Sequence, residues 1–93
     1  MRTLRYTPRS VAQIDRALAY VAAESPRGAS NIRARVLTIL TMLRERPAAG
    51  RPTSRALVRR VVVTPYPYVL DYRVTATEIV VLRFRPAARR PPN

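Results

Sequence analysis

The sequence predicts an α+β fold in the order β-α-α-β-β-β, with a helical hairpin packed on one face of a small, mainly antiparallel sheet. The period of the apolar residues changes along the chain. The first half repeats them every three or four residues, as amphipathic helices do, and the second half alternates them, as half-buried strands do. With 93 residues, of which 47% are hydrophobic, the chain is long enough for one modest core. We therefore expect a single domain over residues 1–93.

A short strand and a helix open the chain. In residues 2–7 the apolar side chains of Leu4 and Tyr6 alternate with polar ones, and Pro8 ends the segment. This pattern predicts a first strand. Ser10 then precedes a helical stripe and has Gln13 three residues after it, the spacing of a capping box. We expect the first helix over residues 10–24, with an apolar stripe formed by Val11, Ile14, Leu18 and Val21.

A second helix follows almost at once. Ser25 supplies a cap and Pro26 a proline at the first helical position, and Pro47 closes the pattern. The stripe of this helix is Ala29, Ile32, Val36, Ile39 and Leu43. Because few residues separate the two patterns, the helices should form an antiparallel hairpin with their stripes together. Residues 47–54 carry no period and are typical of a loop.

Three strands complete the predicted domain. Residues 55–63, 68–74 and 78–85 are rich in valine or alternate in character, and short turns join them into an antiparallel meander. The helices must cover one face of this sheet, and the predicted core face is Tyr68, Leu70, Tyr72, Val80, Leu82 and Phe84. Residues 86–93 hold three prolines and two arginines, which predicts an extended tail.

Charge is the strongest compositional signal. All 18 basic side chains are arginine, against five acidic ones, and the formal net charge is +13. Such an excess requires an anionic partner, either nucleic acid or an acidic protein. Alternation places Arg73, Arg83 and Arg85 on the sheet face opposite the helices. Either Arg59 or Arg60 joins them, because the pattern does not fix the register of their strand.

The same composition excludes several kinds of chemistry. The chain has no lysine, histidine or cysteine, which removes imidazole bases, thiolate nucleophiles and almost every soft-metal site. We expect neither a cofactor nor a metal. No apolar run approaches the ~20 residues of a membrane helix, and the first residues do not resemble a signal peptide. The expectation is a cytoplasmic protein with no membrane contact.

Two residue types in the middle strand have alternative interpretations. Asp71 could orient Arg73 or Arg83 across the sheet, but the pattern favours a solvent-facing acid that tempers local repulsion. Tyr68 and Tyr72 could stack on bases if they were exposed, but the pattern favours core positions with their hydroxyl groups at the edge.

The order and spacing of several short segments resemble the RelE/ParE superfamily of toxins from bacterial toxin–antitoxin pairs. The resemblance covers essentially the whole chain. The segments that carry it are Tyr6-Thr7-Pro8, Ile14-Asp15, Ala19-Tyr20-Val21, Ser25-Pro26 and residues 43–50, 57–61, 66–70, 72–74, 79–83 and 88–91.

Branches of that superfamily differ in activity. ParE-like members inhibit DNA gyrase, whereas RelE-like members cleave messenger RNA on the ribosome. At the position where many relatives carry histidine this chain has Pro86. Arginine is a poor general base, since its pKa lies above ~12. The resemblance therefore implies a ParE-like gyrase inhibitor rather than an enzyme, held in a hetero-oligomer with a cognate acidic antitoxin.

The resemblance and the arginine pattern together predict a binding surface for the antitoxin or the target. It comprises Arg59, Arg60, Arg73, Ile79, Val81, Arg83, Arg85 and Arg89. A partly disordered acidic segment would fold on it, with apolar residues against Ile79 and Val81 and carboxylates against the arginines.

Two alternatives remain open from the sequence. A ribosome-dependent endoribonuclease would place Arg59 or Arg60, Tyr72 and Arg83 about the scissile phosphate. A plain nucleic-acid-binding module would use the arginines for phosphate contacts alone, although the sequence has no recognisable helix-turn-helix, zinc ligands or RNA-binding aromatic motif.

Overall fold

Two helices cover one face of a five-stranded sheet in the structure, a computed structural model that describes residues 1–87. The elements are β1 (Thr3–Tyr6), α1 (Pro8–Glu24), α2 (Pro26–Glu45), a 3-10 turn (Pro47–Ala49), β2 (Arg51–Pro52), β3 (Val58–Val62), β4 (Tyr68–Val74) and β5 (Glu78–Pro86). The α+β class and the predicted order of elements are confirmed. The short strand β2 lies within the predicted loop, and most of the predicted tail lies outside the described residues.

The sheet joins the two ends of the described chain. Its strand order is β1-β5-β4-β3-β2, with β1 parallel to β5 and every other pair antiparallel. The meander of β3, β4 and β5 is the predicted one. Within the described part of the chain, no helix is long and apolar enough to cross a membrane.

Helix α1 begins two residues earlier than predicted, because Thr7 and not Ser10 is its N-cap. Thr7 Oγ1 accepts the Ser10 N–H at 3.1 Å, and Pro8 takes the first helical position, where a missing N–H costs nothing. Ser10 lies inside the first turn, fully buried, and its hydroxyl donates to Thr7 O at 2.9 Å. The expected capping box from Ser10 to Gln13 is therefore wrong.

Helix α2 starts and ends as the sequence predicts. Ser25 Oγ accepts the Gly28 N–H at 2.9 Å, Pro26 is the first helical residue, and the helix stops just before Pro47. The buried residues of α2 are Ile32, Val36, Ile39, Leu40 and Leu43. These side chains pack with Leu18 of α1 and with the sheet, so the predicted hairpin forms the second layer of the core.

A β-bulge at Leu82 changes which residues of β5 face the helices. Tyr72 pairs with Val81, but Asp71 pairs with Arg83, so Leu82 has no partner on β4. One extra residue in a strand reverses the facing of everything beyond it. Ile79 and Val81 therefore lie on the core face before the bulge, and Phe84 lies on it after the bulge.

The predicted core face is only partly correct as a result. Leu70, Tyr72 and Phe84 are in the core as expected. Val80 and Leu82 are not: Val80 is buried on the opposite face, and Leu82 is the bulged residue. The fully buried residues Ile79 and Val81 take their place, which overturns their predicted exposure on a binding surface.

Beyond the end of β1, helix α1 takes over as the neighbour of β5. Thr7 N–H donates to Val81 O at 3.0 Å, and the Thr7 hydroxyl donates to Leu82 O at 3.3 Å. Gln13 Oε1 accepts the Phe84 N–H at 2.8 Å. Thr7 and Gln13 thus pair with backbone groups of β5 that the short strand β1 does not reach. They hold β5 both before and after the bulge.

Tyr72 ties the middle of the sheet to the loop after α2. Its ring is fully buried, as predicted, and its hydroxyl donates to Pro47 O at 2.7 Å and accepts the Gly50 N–H at 2.8 Å. Gly50 packs so closely that an added Cβ would lie 2.5 Å from Tyr72 Oη and 3.0 Å from Arg60 O.

We expect Gly50→Ala to destabilise the protein by about 2–3 kcal/mol, because the new methyl group overlaps a fixed hydroxyl and a backbone carbonyl. The Gly50 φ of −76° suits any residue, so the effect is steric. The measurement is urea unfolding. Gly28→Ala is the matched control: its Cβ would lie 3.1 Å from the Ser25 hydroxyl, and we expect a change within about 1 kcal/mol. Equal stability of both variants would contradict the close packing at Gly50.

Tyr72→Phe should cost about 1–3 kcal/mol, because it leaves the buried Gly50 N–H without its acceptor and Pro47 O without this donor. Tyr20→Phe is the control, since Tyr20 is 78% exposed. Burial raises the pKa of Tyr72. A raised folded-state pKa gives stability that is present below the unfolded value of about 10 and is lost as pH rises beyond it. The stability of the wild type should therefore fall more steeply above that pH than that of Tyr72→Phe, and identical profiles would refute this role.

Candidate functional site

The sheet face opposite the helices carries arginines from three neighbouring strands. Register places Arg60 of β3, Arg73 of β4, and Arg83 and Arg85 of β5 on this side. We call these four residues the arginine face. All four are half-buried. Arg73, Arg83 and Arg85 lie where the sequence predicts, and the choice between Arg59 and Arg60 is settled in favour of Arg60.

One cross-strand row brings several of these charges side by side. Arg83 pairs with Asp71, Asp71 with Arg60, and Arg60 with Arg51 of β2. Adjacent strands lie about 4.8 Å apart, so the row spans about 14 Å. Like charges directly opposite one another destabilise a sheet, and this row holds three arginines but only one carboxylate. The row therefore has an excess of positive charge that an anionic partner would relieve.

Asp71 is the fixed centre of the row. Its carboxylate is held by Arg60 through two contacts, 2.7 Å from Nε to Oδ1 and 3.2 Å from Nη2 to Oδ2. Only 6% of the Asp71 side chain is exposed, against 34% for Arg60. The hydrogen bonds that Arg60 donates to the Asp71 carboxylate raise the pKa of Arg60. The expectation of a solvent-facing acid is wrong, and the partner is Arg60 rather than Arg73 or Arg83, because register sets Arg60 directly opposite.

Valines fill the rows on either side of Asp71. Val58 and Val80 flank Arg73 across the strands, and Val69 lies opposite Arg85. All three valines are buried although no helix covers this face. The aliphatic stems of neighbouring arginines can shield such positions while the guanidinium groups stay in water. The arginine face thus combines charge with apolar surface.

Two residues of the predicted site lie on the other side of the sheet. Arg59 points to the helix side, where Nη1 donates to Gly50 O at 2.7 Å and to Ala48 O at 3.3 Å. Tyr72 is buried on the same side with both hydrogen bonds of its hydroxyl satisfied. The residues that the nuclease interpretation brings together are therefore divided between two faces. Arg89 lies outside the described residues.

Two donors of the arginine face are conspicuous because they are unused. Arg83 Nε and Arg85 Nε are buried, and neither has a hydrogen-bond partner among residues 1–87. Buried polar groups are almost always paired in folded proteins. An acceptor supplied by a bound partner would satisfy them.

A groove beside α1 continues the arginine face toward the helices. It holds about 340 Å³ and is lined by Gln13, Arg16, Ala17, Tyr20, Tyr68, Phe84, Arg85 and Pro86. We call it the α1–β5 groove. The rings of Tyr68 and Phe84 stack in its wall with centroids 5.0 Å apart. Arg85 belongs to both surfaces, so a peptide could pass from one to the other.

Sequence reasoning missed the residues that only tertiary structure brings to this side. Arg9 at the start of α1 and Arg55 before β3 share a cleft with Arg83. Both lie outside regular alternation, and no period in the sequence relates them to the sheet. Within residues 1–87 there is no cluster of three or more potential metal ligands.

Comparison with a known family covers nearly all of the chain. Residues 4–91 match the model of a family described as the ParE toxin of the type II toxin-antitoxin system parDE. A protein of Sinorhizobium fredii (strain NBRC 101917 / NGR234), named "Putative toxin Y4kP", is 32% identical over 74 residues, which is 80% of this chain and 77% of that protein.

Solved structures share the fold. A chain of the chromosomal ParDE toxin–antitoxin system from P. aeruginosa superposes with a TM-score of 0.79 at 25% identity, covering 95% of this chain and 98% of that one. The isolated E. coli RelE toxin gives 0.74 at 16% identity, covering 97% and 88%. The likeness to RelE concerns the fold alone. The family match, the relative and the fold together establish that this chain belongs to the ParE toxin family of type II toxin–antitoxin systems, within the RelE/ParE superfamily.

Proposed function

We propose that this toxin inhibits DNA gyrase and that a cognate acidic antitoxin neutralises it by covering the arginine face. The arrangement of side chains on that face supports the proposal. Four arginines share one side of the sheet with Asp71, and two of their buried Nε donors find no acceptor within residues 1–87. The similarity to a ParDE system supports an antitoxin partner for this chain.

Electrostatics favours an acidic polypeptide as the neutralising partner. A formal charge of +13 on 93 residues attracts an anionic chain over long distances and speeds its encounter. Carboxylates placed against Arg73, Arg83 and Arg85 would receive charge-assisted hydrogen bonds. Asp71 already occupies Arg60, so we assign Arg60 a supporting role in which it keeps the middle of the face in position.

The apolar part of the antitoxin contact must differ from the sequence-based expectation. Ile79 and Val81 are fully buried and offer nothing to a partner. The α1–β5 groove offers the stacked rings of Tyr68 and Phe84, with Arg85 at its border. We infer that an antitoxin segment crosses the arginine face and inserts an apolar side chain into this groove. Buried apolar contacts of this kind would set the lifetime of the complex.

We favour gyrase over messenger RNA as the target because no described group of the site is free to act as a general acid or base. Endonuclease chemistry needs a base or acid near the scissile phosphate. The sequence has no histidine or lysine, the Tyr72 hydroxyl is buried and doubly bonded, and Asp71 is held by Arg60. Arginines alone would stabilise charge but would not move a proton at neutral pH. A surface that binds without chemistry fits an inhibitor better than a nuclease.

The antitoxin surface can be tested by charge reversal. Arg73→Glu combined with Arg83→Glu should weaken binding of the antitoxin by about 2–5 kcal/mol, because two charge-assisted contacts become repulsive. The control pair is Arg27→Glu with Arg46→Glu, which makes the same change in net charge at exposed positions on the two ends of α2. Titration calorimetry with the product of the neighbouring reading frame measures both. Unchanged affinity of the first pair, or equal losses in both pairs, would reject this surface.

The target can be tested with purified gyrase and with cells. The toxin should inhibit supercoiling of a relaxed plasmid by gyrase, and its induction should change plasmid topology while translated messages stay intact. Tyr72→Phe, assayed where it remains folded, should keep this activity, because the Tyr72 hydroxyl serves the fold. Cleaved messages with normal plasmid topology would instead show a RelE-like nuclease.

A further inference from the structure

We propose that a cleft at the start of α1, which shares Arg83 with the arginine face, binds a phosphate group, an activity that goes beyond gyrase inhibition and antitoxin binding. The cleft is lined by Thr7, Arg9, Arg55, Leu82 and Arg83 and holds about 210 Å³. We call it the α1 cleft. Three of its five described lining residues are arginines, and none of the five is acidic.

The three arginines reach the α1 cleft from different parts of the fold. Arg9 is in the first turn of α1, Arg55 lies between β2 and β3, and Arg83 follows the bulge in β5. The ion pairs described within residues 1–87 are Arg5 with Glu78 and Arg60 with Asp71, so none of the three cleft arginines is neutralised there. Three converging cations repel one another, and a bound anion would remove that cost.

Arg83 provides the most specific sign of a missing ligand. Its Nε is buried and has no acceptor in the described part of the chain, although donors in such positions are normally paired. The backbone beside it is fixed, because Thr7 donates to Val81 O and to Leu82 O at 3.0 and 3.3 Å. The arginine is therefore held on a preorganised support.

The end of α1 adds to the attraction. Pro8 has no N–H and the Ser10 N–H is taken by Thr7, so the Arg9 N–H is the first-turn donor left for a ligand. The helix is 17 residues long, and its N-terminus carries a partial positive charge. Anion-binding sites at helix N-termini use a free backbone N–H and the positive end of the helix dipole, and here arginines are added to both.

The geometry favours phosphate over carboxylate. Asp71 shows what a carboxylate does in this protein: its two oxygens are taken by the fork of one arginine. A tetrahedral phosphate presents oxygens in several directions and can accept from donors on three separate elements at once. The arginines of the α1 cleft come from three such separate parts of the fold.

The experiment is a titration of the ¹⁵N-labelled full chain followed through arginine Nε–H signals, at constant ionic strength in chloride. The probes are inorganic phosphate, adenosine 5′-monophosphate, a short single-stranded DNA oligonucleotide without terminal phosphate, and acetate. We expect saturable binding of phosphate that shifts the Arg83 Nε–H signal. Arg9→Gln and Arg83→Gln should each weaken it about tenfold or more. Binding of the oligonucleotide with the same dependence on Arg9 would identify backbone phosphate as the source, and binding of the monoester alone would identify a terminal phosphate.

Arg27→Gln is the matched control. Arg27 follows Pro26 at the start of α2 as Arg9 follows Pro8 at the start of α1, but it lines none of the clefts described here. Its substitution should change affinity less than twofold. Three results would overturn the proposal: no saturable shift at Arg83, equal losses in Arg27→Gln and Arg9→Gln, or acetate binding as tightly as phosphate. Because the titration needs neither gyrase nor antitoxin, its failure would leave the proposed function standing.

Discussion

The bulge at Leu82 is the constraint on which the rest of the molecule depends. Before it, β5 sends Ile79 and Val81 into the core, and after it, Phe84. The same extra residue turns Arg83 and Arg85 to the opposite face, where Arg60 and Arg73 already lie. Without the bulge, a strand that buries Ile79 and Val81 would carry Arg83 and Arg85 into the core, at a large cost in desolvation. One irregularity therefore reconciles the core with the arginine face.

The bulge is stable because α1 supports it. Thr7 caps the helix and also bonds the backbone of β5, and Gln13 accepts the Phe84 N–H. The start of the helix is thereby coupled to the position of Arg83. Concentrated positive charge opposes folding, and Asp71 offsets part of it within the sheet. A partner that supplies further carboxylates or phosphates would stabilise the folded state by mass action. For this reason we expect antitoxin binding to increase the free energy of unfolding of the toxin.

Most of the fold and part of the candidate site could be predicted from the sequence. Capping residues and prolines were enough to predict both helices. The alternation of apolar and polar residues predicted the bounds of β4 correctly and placed Arg73 on the face opposite the helices. Alternation failed in β5 because a bulge has no signature in the pattern of apolar residues, so Ile79 and Val81 were assigned to the wrong face. Asp71 was misjudged because its partner is set by register, which the pattern of β3 does not fix. Arg9 and Arg55 were missed because tertiary packing alone brings them to Arg83.

The central claim is that Arg73, Arg83 and Arg85 form one surface that the antitoxin covers. Its most direct test is arginine-specific chemical modification of the toxin, free and in complex with the antitoxin, quantified peptide by peptide by mass spectrometry. If the antitoxin covers this surface, the complex should protect these three arginines strongly and leave Arg27 and Arg46, at the two ends of α2, as reactive as before. Protection of the α2 arginines with continued reactivity of Arg73, Arg83 and Arg85 would contradict it.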